Sequence, residues 1–148
     1  MRTRVLIAAV VVMAASAGWS HADLQRAIAE PNLEKRSHLA LENAKTAYQA
    51  MRAAYEKAEM EKVTAAIKEF EESVELSHTS LNQTGKNPRK NPKYFKQAEI
   101  ATRDLLRRLD TFQREMSFDD RPALDPTIKK LQRIHDELLV GLMEGKKK

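Results

Sequence analysis

The chain has 148 residues, with 26 Lys and Arg against 21 Asp and Glu and a formal net charge of +5. That length fits one domain with a core of moderate size. Cysteine is absent, which excludes disulfide stapling, thiolate zinc sites, iron–sulfur clusters, c-type haem attachment and thiol nucleophiles. Glycine and proline are few, at 4 and 5. Ala, Glu, Lys, Leu and Arg dominate, and that balance argues for long helices.

The first 22 residues have the three parts of a secretory signal peptide. Arg2 and Arg4 form a positive start, Val5 to Ala17 is an apolar run, and Ser20-His21-Ala22 supplies small residues for cleavage after Ala22. The run is shorter than the roughly 18 residues of a spanning helix. The expectation is export to the periplasm or outside the cell. Residues 23–148 should then form a single helical domain with no transmembrane segment. A short lead-in helix, about 23–30, is expected to stop at Pro31.

Four main helices follow from apolar spacing. The first spans about 33–58, where Leu41, Ala44, Tyr48, Met51, Tyr55 and Ala58 recur in steps of three and four. Such residues line one stripe of a helix. Val63, Ile67, Phe70, Val74, Ser77 and Leu81 do the same over 61–84, and Gly85 suits the position just past its end. A loop at 85–92 contains two Asn-Pro steps, and its prolines are expected to hold it extended and exposed. The third helix, about 93–116, carries Phe95, Ala98, Thr102, Leu105, Leu109, Phe112 and Met116. Asp125 and Pro126 read as N-cap and first residue of a fourth helix, about 126–144. Its stripe is Ile128, Leu131, His135, Leu138 and Leu142. No segment alternates with period two. The fold class is therefore all-α, an antiparallel up-down-up-down bundle of four main helices.

Ala58-Glu59-Met60-Glu61-Lys62-Val63, between the first two main helices, resembles the Gly-Asp-Tyr-x-x-Ala turn of a tetratricopeptide repeat. Ala58 stands for its glycine and Met60 for its tyrosine. The resemblance covers about residues 39–76, without the closing proline and without a second copy. It implies one repeat-like hairpin and a role in binding protein.

The candidate site residues are basic. Between Thr79 and Ala98 there is no acidic residue, while Lys86, Arg89, Lys90, Lys93 and Lys96 fall within that window beside Tyr94 and Phe95. Such a patch concentrates positive potential. The tail Lys146 to Lys148 adds a second cluster, and antiparallel helices would bring it to the same pole. Nucleic acid does not suit an exported chain without a recognition helix or stacking platform.

Histidine offers two further ideas. A hairpin turning near Glu59 would place His38 and His78 close together, as a weak metal site. Met51 and His135 would be axial ligands if the bundle carried haem. Neither pattern is completed by neighbouring carboxylates or a His-x-x-x-His pair, so no metal, haem or other cofactor is assigned. His135 reads instead as a core-edge histidine with a polar partner.

Catalytic groupings are missing from the sequence. Ser73, Ser77 and Ser80 lack a nucleophile elbow, and Glu69, Glu71, Glu72 and Glu75 read as a solvated face. Arg103, Arg107, Arg108 and Arg114 are expected to turn toward that acidic helix. The resulting expectation is an exported, non-enzymatic helical protein, monomer or dimer, that binds a protein or a cell-envelope component. The alternatives are a haem or metal carrier, and a peripheral binder of anionic surfaces through the basic loop.

Overall fold

The computed structural model describes residues 21–145. The segment read as a signal peptide lies outside the described residues, except for His21 and Ala22. Lys146 to Lys148 lie outside as well. Five α-helices are present: α1 (His21–Ala29), α2 (Leu33–Glu56), α3 (Met60–Gln83), α4 (Pro92–Glu115) and α5 (Asp125–Glu144). A short 3-10 turn, Arg121–Leu124, precedes α5. There is no strand among the described residues. The all-α bundle expected from periodicity is the fold, and α1 joins it by burying Leu24 and Ala27.

Local chemistry sets the helix ends. Pro31 cannot continue α1. Asn32 then caps α2, its side chain accepting from Lys35 N–H at 2.9 Å. Its end at Ala58 has the Schellman pattern. Glu59 N–H donates to the Ala54 carbonyl and Ala58 N–H to the Tyr55 carbonyl, both at 3.0 Å. This places Ala58 at φ 55°, left-handed backbone in a residue that carries a Cβ. Gly85, past the end of α3, takes φ 67° without that cost.

One end signal is corrected. Asp125 does not cap α5. The 3-10 turn runs straight into the helix, so Asp125 is already helical. Its side chain instead accepts from Gln113 Nε2 at 2.7 Å, tying α5 to α4.

The helices form two layered hairpins, α2 with α3 and α4 with α5. Direction alternates along the chain, but contacts between the layers join parallel helices. Tyr48 donates to the Arg108 carbonyl, Arg52 pairs with Glu115, and Tyr55 reaches Ser117 and Asp120. The residue numbers rise together, so α2 runs parallel to α4. Likewise Glu71 meets Thr127, Glu75 meets Lys130, and His78 meets Glu137, so α3 runs parallel to α5. The loop from α3 to α4 therefore crosses the bundle diagonally.

That diagonal corrects the expected pairing of α3 with α4. The α3 acids meet Lys130 and Arg133 of α5. The α4 arginines pair within their own helix: Arg103 with Glu99, Arg107 and Arg108 with Asp104, Arg114 with Asp110.

Two kinds of packing fill the bundle. The α2–α3 seam is small and partly polar. Ala40, Ala44 and Ala47 are wholly buried, which lets the helices approach closely. Ser37 and Ser77 hydroxyls meet at 2.8 Å. Asn43 Nδ2 donates to Ser73 Oγ at 2.8 Å and to Glu69 Oε1 at 3.2 Å. Glu69 is thus buried rather than solvated, and the seam serines are structural. These pairs are satisfied in one register only, so they oppose sliding of α2 along α3. Asn43 Oδ1 remains buried without a hydrogen-bond partner. Between the hairpins the core is larger and apolar, with Met51, Phe70, Leu81, Leu105, Leu109, Leu131 and Ile134 fully buried. Each such side chain contributes about 1.5–3 kcal/mol on burial.

Candidate functional site

The sequence candidates lie mostly at one end of the bundle. Here α2 and α4 begin, α3 and α5 end, and the 84–91 connection crosses. Asn87 builds that connection. Its side chain accepts from Arg89 N–H at 3.0 Å, and its carbonyl accepts from Lys90 N–H at 3.1 Å and Asn91 N–H at 2.9 Å. The loop is a folded turn, not the extended segment its prolines suggested. The fixed φ of Pro88 fits the second position of such a turn.

Gly141 of α5 and Gly145 just past its end receive the loop. A Cβ at Gly141 would lie 3.2 Å from Pro88 Cγ, and one at Gly145 would lie 3.3 Å from Arg89 Cδ and 3.1 Å from Asn87 Oδ1. These contacts are tighter than an ordinary Cβ makes, so loop and helix end are closely fitted together. The α5 terminus thus reaches the basic loop, as antiparallel hairpins require. Lys146 directly follows Gly145 in sequence.

The five basic side chains are exposed here. Lys86 Nζ pairs with Glu34 Oε1 at 2.6 Å. Arg89, Lys90, Lys93 and Lys96 form no ion pair with another described residue. Lys93 Nζ stands 5.1 Å from the centre of the Tyr94 ring, within cation–π range. Tyr94 is half-buried, and Phe95 is buried in the core. Phe95 is therefore no part of an exposed surface. Cations that lack a local carboxylate keep their potential for an outside anion.

Beneath the loop, a cleft of about 240 Å³ is lined by His78, Asn82, Lys86, Pro88, Phe95 and Glu137. His78 Nε2 lies 3.1 Å from Glu137 Oε2 and 3.3 Å from Asn82 Nδ2. Burial pushes the His78 imidazole below the ordinary histidine value, against the opposing pull of Glu137.

The sequence-predicted histidine pairs are not brought together. Ser37 and Ser77 bring α2 and α3 to one level, yet His38 is exposed along the α2–α4 groove while His78 is buried against α5. They occupy different grooves. Among the described residues no group of three His, Asp or Glu side chains has metal-binding geometry. Met51 is wholly buried in the core. His135 is half-buried on α5, with Nε2 3.0 Å from Glu99 Oε1 and Nδ1 3.6 Å from Asp136 Oδ1. The core-edge reading describes His135, with Glu99 as the nearer partner.

One feature of this pole had not been assigned from sequence. Leu139, Val140 and Met143 are 39, 50 and 69% exposed on the last two turns of α5. The signal was available: Leu138, Gly141 and Leu142 already supply the inward positions, which leaves Val140 and Met143 pointing outward.

No helix among the described residues is long and apolar enough to cross a membrane. Compared with known protein families, curated proteins and solved structures, the chain matches none.

Proposed function

We propose that this chain is an exported, non-enzymatic helical module that binds a protein or another cell-envelope component through its basic pole. The observation that carries the reading is the fit of loop to helix end, with Pro88 against Gly141 and Arg89 against Gly145. Long basic side chains on a mobile loop would lose conformational freedom on binding, whereas a loop seated on α5 presents them partly preorganised. The unpaired Arg89, Lys90, Lys93 and Lys96 supply the attraction. The tetratricopeptide-like hairpin is a further reason to include proteins among the partners.

The test is capture from an envelope extract. Purified protein is compared with a variant in which Lys86, Arg89, Lys90, Lys93 and Lys96 are changed to Ser. A component retained by the wild type and lost by the variant supports the reading. Equal capture by both moves the function to the helix faces. No capture at all, with visible haem absorbance or bound metal in the purified protein, would replace this reading with a cofactor carrier.

A further inference from the structure

Three large apolar side chains stand exposed within five residues of α5, at the end where the unpaired cations gather. Leu138, Gly141 and Leu142 face inward, Gly141 against Pro88. Leu139, Val140 and Met143 occupy the outer side. His135 meets Glu99 across the antiparallel α4–α5 pair. One turn further along α5 comes Leu139, and one turn back along α4 comes Lys96, so the two share a level. Arg89 lies against Gly145 at the helix end. The apolar patch is thus bordered by cations on the α4 side and at its tip. Asp136 bounds it one turn back. Glu144, seven residues beyond Glu137, shares the side that faces α3.

Apolar side chains exposed side by side, with polar groups around them, mark surfaces that contact membranes or partners. We propose that this patch, with Arg89, Lys90, Lys93 and Lys96 around it, is a contact surface for an anionic phospholipid bilayer. The proposal rests on the basic-pole reading and names the envelope component. Apolar side chains would enter the acyl boundary while lysine and arginine stems reach outward to lipid phosphates. Tyr94, half-buried with Lys93 over its ring, suits the headgroup level, where amphipathic rings collect. The patch is a convex helix end with cations at its tip and along its α4 side, and with Asp136 and Glu144 on its remaining borders. Charge complementarity therefore favours a lipid surface over a protein anchor, which needs a pocket to fill.

The experiment is co-sedimentation of the full chain with vesicles of phosphatidylglycerol and phosphatidylcholine, beside phosphatidylcholine alone. The neutral vesicles also measure any contribution of residues 5–17. Expected is binding about tenfold or more tighter to the anionic vesicles at low salt, weakening as salt screens the charges. The five-Ser variant and a V140S/M143S variant should each lose about tenfold. Phe118→Ser removes an apolar side chain 82% exposed at the other end of the bundle and should bind as wild type. Circular dichroism and urea midpoints confirm that each variant is folded. Equal binding to both vesicle types, unchanged binding by V140S/M143S, or loss with Phe118→Ser would each overturn the inference. If no vesicle binds but the five-Ser variant still loses a captured protein, only the bilayer is wrong. If both assays are blank, the basic-pole reading falls with it.

Discussion

The two ends of this bundle handle polar groups in opposite ways. Where α2 and α4 end, a connected set of polar side chains ties the hairpins together. Tyr55 hydroxyl donates to Asp120 Oδ2 and accepts from Ser117 N–H, both at 2.9 Å. Arg52 pairs with Glu115 at 2.6 Å and lies 5.5 Å from the Phe112 ring centre. Tyr48 and Tyr55 pack edge-on against that ring at 6.3 and 5.6 Å. The hydroxyls of Ser117 and Tyr55 hold the Asp120 carboxyl below the usual range. At the basic pole, Arg89, Lys90, Lys93 and Lys96 form no ion pair with another described residue, and three apolar side chains meet solvent. The same chain thus uses one end to fasten its hairpins and leaves cations and apolar groups exposed at the other.

The largest break in this contrast should come from Phe112→Ala. The ring is 3% exposed and touches both tyrosines, so its removal should cost about 3–5 kcal/mol by urea denaturation. Phe118→Ala, the same chemistry in solvent, should stay within about 0.5 kcal/mol. Similar losses at both positions would show that the aromatic cluster is not what fastens this end.

Gly141→Leu attacks the other pole. The new side chain must displace Pro88, at a cost of about 1–3 kcal/mol. It should also shift the amide resonances of residues 86–91 and lower binding to anionic vesicles. Unchanged loop resonances would mean that α5 does not seat the loop.

Ala58→Gly should act in the opposite direction. Ala58 holds φ 55°, a conformation that costs a residue with a Cβ about 1–2 kcal/mol. Glycine removes that strain but adds freedom to the unfolded chain, so a net gain of up to about 1 kcal/mol is expected. A loss of stability would show that the turn gains more from the Ala58 methyl than it gives up in strain.

The smallest effect concerns His78. Its folded value is depressed by burial, so the unfolded chain takes up the proton first. Stability should be fully present above about pH 6.5 and decline as pH falls through the lower folded value. A histidine NMR titration should find the His78 midpoint below 6.5, and His78→Gln should flatten the acid-side decline. A midpoint above 6.5 would mean that Glu137 outweighs burial.

Much of the fold was legible in the sequence because helix formation here is local. The apolar stripes, Asn32 after Pro31, Pro92 at the start of α4 and Gly85 past α3 are decided within a few residues of themselves. The lead-in helix was legible too, since Pro31 must stop it. The cation window from Thr79 to Ala98 was equally plain, because charge is a property of composition.

Other features needed the third dimension. Glu69 reads as part of a solvated acidic run, yet the close α2–α3 approach allowed by Ala40, Ala44 and Ala47 buries it against Asn43. The α4 arginines had an acidic helix available on paper, and the diagonal crossing of the 84–91 connection gave that helix to α5. His38 and His78 share a level but not a groove, since a helix's outward directions depend on which neighbours flank it.

The sequence by itself determined the helices, their buried stripes and the sign of the charge in the loop, because each depends on spacing and composition along the chain. Only the tertiary structure decided which hairpins face each other and in what direction. It also decided that Pro88 and Arg89 rest on Gly141 and Gly145, beside an apolar patch. Those outcomes depend on contacts between distant residues, where the fit of small side chains at one seam and large ones at another selects among arrangements that the stripes alone permit.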